Sequence, residues 1–176
     1  MTPVSRPTRE ESERGSSLIE AMAATVLLAI VMAGLMGMDA VASRITENYG
    51  HLAARTAEYA QDKMEQLMAL AWGDTTTDTT VFPATAAGGT GLAQGGSSDV
   101  AAPVAGYVDY LDQNGQLIPA GAGGAAPAGW FYKRVWRVDV PAANLKQITV
   151  SVTVAIGYEG ASPTTSTMTV LKSFPF

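Results

Sequence analysis

Cysteine is absent from the 176 residues, and histidine occurs once, at His51. The first absence excludes disulfide staples and thiolate metal sites, so stability must come from packing. The second removes the usual base of nucleophilic catalysis. His51 stands beside the apolar stripe of a helical segment, with no Ser–His–Asp grouping recognisable by spacing and no metal cluster around it. No enzymatic role, cofactor or metal is therefore expected. Basic residues are also few: 11 Lys and Arg face 16 Asp and Glu, a formal net charge of -5 with a sequence pI near 4.7. That balance opposes nonspecific nucleic-acid binding, which calls for a basic face. Two further absences concern the chain's path. No proline lies between Pro7 and Pro83, and no charged residue lies between Glu20 and Asp39.

The uncharged run Ala21 to Met38 would rise about 27 Å as a helix, enough to cross a hydrocarbon core. Ahead of it stand Arg6, Arg9 and Arg14 among Glu10, Glu11 and Glu13. Acidic residues count little in the orientation rule, so the arginines favour a cytoplasmic N-terminus. One bland alternative is an export signal, since Ala40-Val41-Ala42 before Ser43 is an A-x-A-like cleavage site that would release a periplasmic binding domain. Against it, the apolar stretch exceeds the usual h-region and begins beside a carboxylate, Glu20. A charge in the bilayer interior costs roughly 2.5–3.5 kcal/mol on insertion scales, so Glu20 calls for a partner or a function.

The surrounding string RGSSLIEAM resembles the processing motif of type IV pilins and type II secretion pseudopilins. Gly15 would precede the cut and Ser16 would become the N-terminus, with Leu18, Ile19 and Glu20 on the remaining motif positions. Ser16 replaces the family's common phenylalanine, and the leader is less basic than usual. The resemblance implies cleavage by a prepilin peptidase, N-methylation at Ser16, and pairing of Glu20 with the α-amine of a neighbouring subunit during assembly. It also implies residence in the inner membrane as a single-pass chain with its C-terminal part outside the cytoplasm, then incorporation into a pilus or pseudopilus. The implied partners are other pilin or pseudopilin subunits, the peptidase, and membrane lipid before assembly.

The apolar pattern continues from the span into a stripe, Val41, Ile45, Tyr49, Leu52, Thr56, Tyr59, Met64, Leu67 and Leu70, near the 3.6-residue period. One continuous helix to Trp72 is predicted. Within the span, Ala29, Ala33 and Gly37 recur every four residues, a face that would let helices approach closely or simply the pattern of an Ala-rich span. The expected divisions are a leader over 1–15, a membrane or filament-core segment over 16–39, an amphipathic helix over 40–73, a Gly/Ala/Thr-rich loop over 74–105 and a sheet region over 106–176. The loop carries little that could form a core and reads as a partly mobile connection. Its GGTGLAQGG lacks the flanking strand and helix of a phosphate-binding loop.

Beyond the loop, GYVDYLDQNGQLI carries a hairpin signal at Asn114-Gly115. In WFYKRVWRVDV, Trp136, Val138 and Val140 alternate with Val135, Arg137 and Asp139. In QITVSVTVAI, Ile148, Val150, Val152, Val154 and Ile156 share one face, opposite Thr149, Ser151 and Thr153. STMTVLKSF supplies a last strand with Met168 and Val170 on one face. Short connections make the sheet antiparallel, and its apolar face needs the amphipathic helix as cover. The expected class is α+β, and this helix-on-sheet layout is similar to the pilin fold. The strings YVDYLDQNG, KRVWRV and LKQITVSVTV are also similar to PilV-type minor pilins, which tilts the expected role toward a structural minor subunit. Two other chemistries are weighed and set aside. Asp109, Asp112 and Asn114 lack the further carboxylates of a calcium loop, so a turn is the better reading. Lys133, Arg134 and Arg137 among Trp130, Phe131, Tyr132 and Trp136 could stack on single-stranded nucleic acid, but an amphipathic strand gives the same string.

Overall fold

The computed structural model describes residues 10–155 and 163–174, with side chains from residue 17 onward. The first nine residues of the predicted leader, and Ile156 of the predicted strand face, lie outside the described residues. The chain begins with one helix, α1 (Glu10–Ala69), of 60 residues. Ala, Leu, Met, Glu and Gln dominate it, and without proline no backbone donor is lost. It runs through Gly34, Gly37 and Gly50 without a break. The fold divides into two units, Met1–Asn48 and Tyr49–Phe176. In the first, every described side chain from 17 to 48 is exposed. Val41 and Ile45, predicted to begin the buried stripe, are 59% and 44% exposed, because the stripe gains cover only within the second unit.

In that second unit the end of α1 packs on an antiparallel sheet. Its strands are β1 (Gly95–Gly96), β2 (Val108–Leu111), β3 (Leu117–Ile118), β4 (Tyr132–Ala142), β5 (Leu145–Val154) and β6 (Thr165–Ser173), in the order β3-β2-β4-β5-β6 with β1 paired to β4. The hairpin predicted at Asn114-Gly115 joins β2 to β3. Gly115 has φ 80°, and a Cβ there would fall 2.5 Å from the Tyr59 hydroxyl of α1, so only glycine fits this turn. Alternation on β5 puts Ile148, Val150, Val152 and Val154 into the core, where they meet Ala60, Met64 and Leu67 of α1 and Trp136 and Val138 of β4. Val140, predicted to share the face of Trp136, is 37% exposed; a register irregularity between Asp139 and Ala142 accompanies this change.

Two expectations are corrected. The helix stops at Ala69 rather than reaching the predicted boundary at 73. Carbonyls at and just beyond its end accept hydrogen bonds from the sheet: Lys172 Nζ donates to those of Met68 and Leu70, and Lys146 Nζ donates to that of Trp72 at 2.7 Å. These ammonium groups satisfy acceptors that further helix would otherwise have used. Burial lowers the pKa of both lysines, with Asp74 pulling Lys146 back upward and the Lys146 charge lowering Lys172 further.

The segment 74–105 does contribute to the core, since Leu92 is fully buried. A bridge between Asp78 and Thr85 and the strand Gly95–Gly96 add hydrogen-bonded structure to it. A Cβ on Gly96, where φ is 82°, would sit 2.2 Å from the Trp136 carbonyl oxygen, so glycine permits the close approach to β4. The sheet's other face also carries apolar residues. Val108, Tyr110 and Val135 form a second buried cluster, with Val100, Ala120 and Trp130 against it.

A chain beginning at Arg44 is expected to be soluble and to unfold cooperatively in urea, because the core lies in the second unit. Leu92→Ala should lower the stability of that chain by about 2–5 kcal/mol, the usual cost of removing a buried leucine side chain. Loss of near-UV circular dichroism in the parent fragment would place the boundary elsewhere.

Candidate functional site

The N-terminal motif lies on the first part of α1, and the helix backbone passes through Gly15 and Ser16. Side-chain geometry begins at residue 17. Leu18 and Ile19 are 67% and 70% exposed, and Glu20 is exposed with them. Glu20 stands four positions after Ser16, one helical turn further on. From Ala21 to Met38 no other charge interrupts the helix. Leu27, Ile30, Val31 and Leu35 all present more than half their surface, which leaves an apolar face in need of lipid or protein. The helix is long and apolar enough to cross a membrane, with a window of mean hydropathy 2.3 and none of it buried; a signal sequence near the N-terminus meets the same criterion. Ala40, Val41, Ala42 and Ser43, the alternative cleavage site, lie inside α1.

A second polar constellation sits in the other unit and was missed as a group in the sequence. Lys63 of α1 is fully buried and pairs with Asp109 of β2 at 2.8 Å. Arg134 of β4 grips the same carboxylate with two bonds, Nε to Oδ1 at 2.6 Å and Nη2 to Oδ2 at 2.9 Å. Its Nη1 reaches Asp62 on α1 at 2.7 Å. Lys63 also donates to the Thr79 carbonyl at 2.6 Å and its hydroxyl at 3.1 Å, and lies 4.0 Å from the centre of the Trp136 ring. One cluster thus joins the helix, two strands and the 74–105 segment.

Its charges balance, and the local electrostatics follow. Burial pushes Lys63 down to about 8, outweighing the opposing pull of Asp109. Burial alone would raise Asp109, but the Lys63 and Arg134 charges prevail and hold its carboxyl below the usual range. Burial opposes the Arg134 charge as well, yet Asp109 and Asp62 raise it. With its carboxylate committed to two cations, Asp109 fastens the helix and the two strands together.

Two chemistries set aside from the sequence can be checked at these positions. Asp109 is not part of a surface calcium loop; Asp112 instead accepts the backbone N–H groups of Asn114 and Gln116, both at 2.8 Å, as the preferred turn requires. Arg134 is buried between carboxylates and so does not belong to an exposed basic-aromatic strip. Lys133 lies 5.5 Å from the Trp130 ring, and Arg137 bonds Asp139. Among the described residues no group of three or more His, Asp or Glu is arranged to hold a metal ion, and His51 is exposed. A sequence signal for the cluster did exist: Lys63 falls between Ala60 and Met64 on the buried face, and Asp109 interrupts an otherwise apolar strand of fully buried residues. No protein-family model, curated protein or solved structure matches this chain.

Asp109→Asn should cost about 3–5 kcal/mol in urea denaturation, since buried Lys63 loses its paired carboxylate and Arg134 keeps only that of Asp62. The pH dependence has a definite sign. Because the folded-state pKa of Asp109 lies below its unfolded value, its stabilisation is present above the ordinary carboxylate range and is lost as pH falls through the folded value. Lys63 works in the other window. Between pH about 8 and its ordinary pKa of 10.5 the unfolded chain holds the proton that the folded chain has released, so this group's contribution rises with pH there. Lys63→Met should lack that rise, so the stability of the parent minus that of the variant should climb with pH across this window.

Proposed function

We propose that the chain is a minor subunit of a type IV pilus or a type II secretion pseudopilus. The observation that carries this reading is the sequence Gly15-Ser16-Ser17-Leu18-Ile19-Glu20 at the head of an unbroken helix whose described apolar surface is uncovered. In this proposal a prepilin peptidase cuts after Gly15, and the new Ser16 amine is methylated. The helix is held in the inner membrane, with the sheet-bearing unit outside the cytoplasm, until it transfers to the filament. Lipid covers the apolar helix before assembly, and the helices of other subunits cover it afterwards. The carboxylate of Glu20 neutralises the Ser16 amine of a neighbouring subunit. Such a pair is far better tolerated in an apolar core than either charge alone, so it fixes the register of adjacent helices. The role is structural.

Two measurements test this. Mass spectrometry of membrane-extracted protein should find Ser16 at the N-terminus; a start at Ser43 would favour release by signal peptidase after Ala42. Glu20→Ala should still be trimmed, because the cut depends on Gly15 and its immediate neighbours, but should fail to enter sheared filaments. The loss corresponds to about 3–5 kcal/mol for one partner removed from a buried pair. Normal incorporation of the trimmed variant would remove the pairing role.

A further inference from the structure

A cavity of about 650 Å³ opens beside the charge cluster, between α1, the loop before residue 83 and the β2–β3 hairpin. We propose that it binds a neutral carbohydrate of one or two sugar rings. The site lies wholly in the unit Tyr49–Phe176 and does not rest on the filament reading. Its volume falls within the ~300–1,000 Å³ typical of small-molecule sites.

The chemistry of the lining selects the ligand class. The charged groups lining the cavity are Asp62 and Arg134, already paired at 2.7 Å. Behind them Arg134, Asp109 and Lys63 complete a set of two cations and two carboxylates. A charged ligand would have to compete for that pair, and freeing Arg134, only 4% exposed, would unbalance a buried charge. A neutral polyol can add to the site without breaking it. Asp62 Oδ2 accepts from Arg134 and Gln66, while Oδ1 accepts no hydrogen bond among the described residues. The side-chain amide of Gln116 likewise makes no hydrogen bond among the described residues, so it offers both a donor and an acceptor. Planar carboxylate and amide groups of this kind match adjacent hydroxyls on a sugar ring. The apolar complement is also present: Phe82 lines the cavity yet is 86% exposed, and Leu117 lies on the opposite hairpin. An uncovered aromatic ring can pack against the C–H face of a sugar through dispersion.

The test uses the full chain in lipid nanodiscs free of glycolipid and sugar-based detergent. Saturation-transfer NMR is run with maltose, cellobiose and N,N′-diacetylchitobiose. Saturation should reach at least one of them, and Phe82→Ala and Gln116→Ala should each weaken that binding about tenfold. Both positions are exposed, so near-UV circular dichroism should remain that of the parent. No transfer to any of the three sugars would overturn the proposal. So would transfer unchanged in either variant, or, with the single rings glucose, glucosamine and glucuronate run alongside, stronger transfer to either charged sugar than to glucose.

Discussion

One buried carboxylate organises the second unit. Asp109 sits on a strand of fully buried residues and is met by Lys63 from the helix and Arg134 from the neighbouring strand. None of these charges could be buried alone, because desolvation costs several kcal/mol per ion even after relaxation. Lys63 and Arg134 therefore each require Asp109, and Asp109 requires them. The requirement links elements far apart in sequence, and Lys63 extends it to Thr79 through the hydrogen bonds at that residue. Apolar packing supplies the driving force for this core, while the charges restrict which face of α1 can lie against which part of the sheet. A rotation of the helix that kept Met64 and Leu67 covered but moved Lys63 would leave Asp109 and Lys63 without each other.

The end of the same helix is governed by the related need to satisfy backbone carbonyls. Lys146 and Lys172, on adjacent strands, are partners in the β5–β6 register and reach carbonyls at or just beyond the helix end. Helix termination is thus a tertiary event here. The only nearby glycine, Gly73, lies beyond the point where α1 stops. The first unit obeys a different constraint. Its helix satisfies its backbone internally, so an apolar surface on every side can be presented to a nonaqueous environment without exposing unpaired polar groups. Glu20 stands at the head of the uncharged run Ala21 to Met38, and it is the residue on which the filament proposal turns.

Much of the architecture could be read in advance because it depends on local periodicity. The proline-free helix, the hairpin at Asn114-Gly115 and the alternation of Ile148, Val150, Val152 and Val154 each arise from near-neighbour rules. The candidate processing site was likewise visible as a contiguous string. The charge cluster was not legible as a unit, since Lys63, Asp109 and Arg134 are brought together by strand pairing and helix docking. Arg134 among aromatics looked like surface chemistry, and only its register opposite Asp109 shows otherwise.

By itself the sequence determined the α+β order, the long apolar helix and the antiparallel character of the sheet, because backbone sterics and hydrophobic alternation act over a few residues. Tertiary structure decided where α1 stops, that Leu92 belongs to the core, and that Lys63 and Arg134 are interior residues. Those outcomes depend on desolvation, which is set by what other parts of the chain cover and cannot be assigned to a residue until the packing exists.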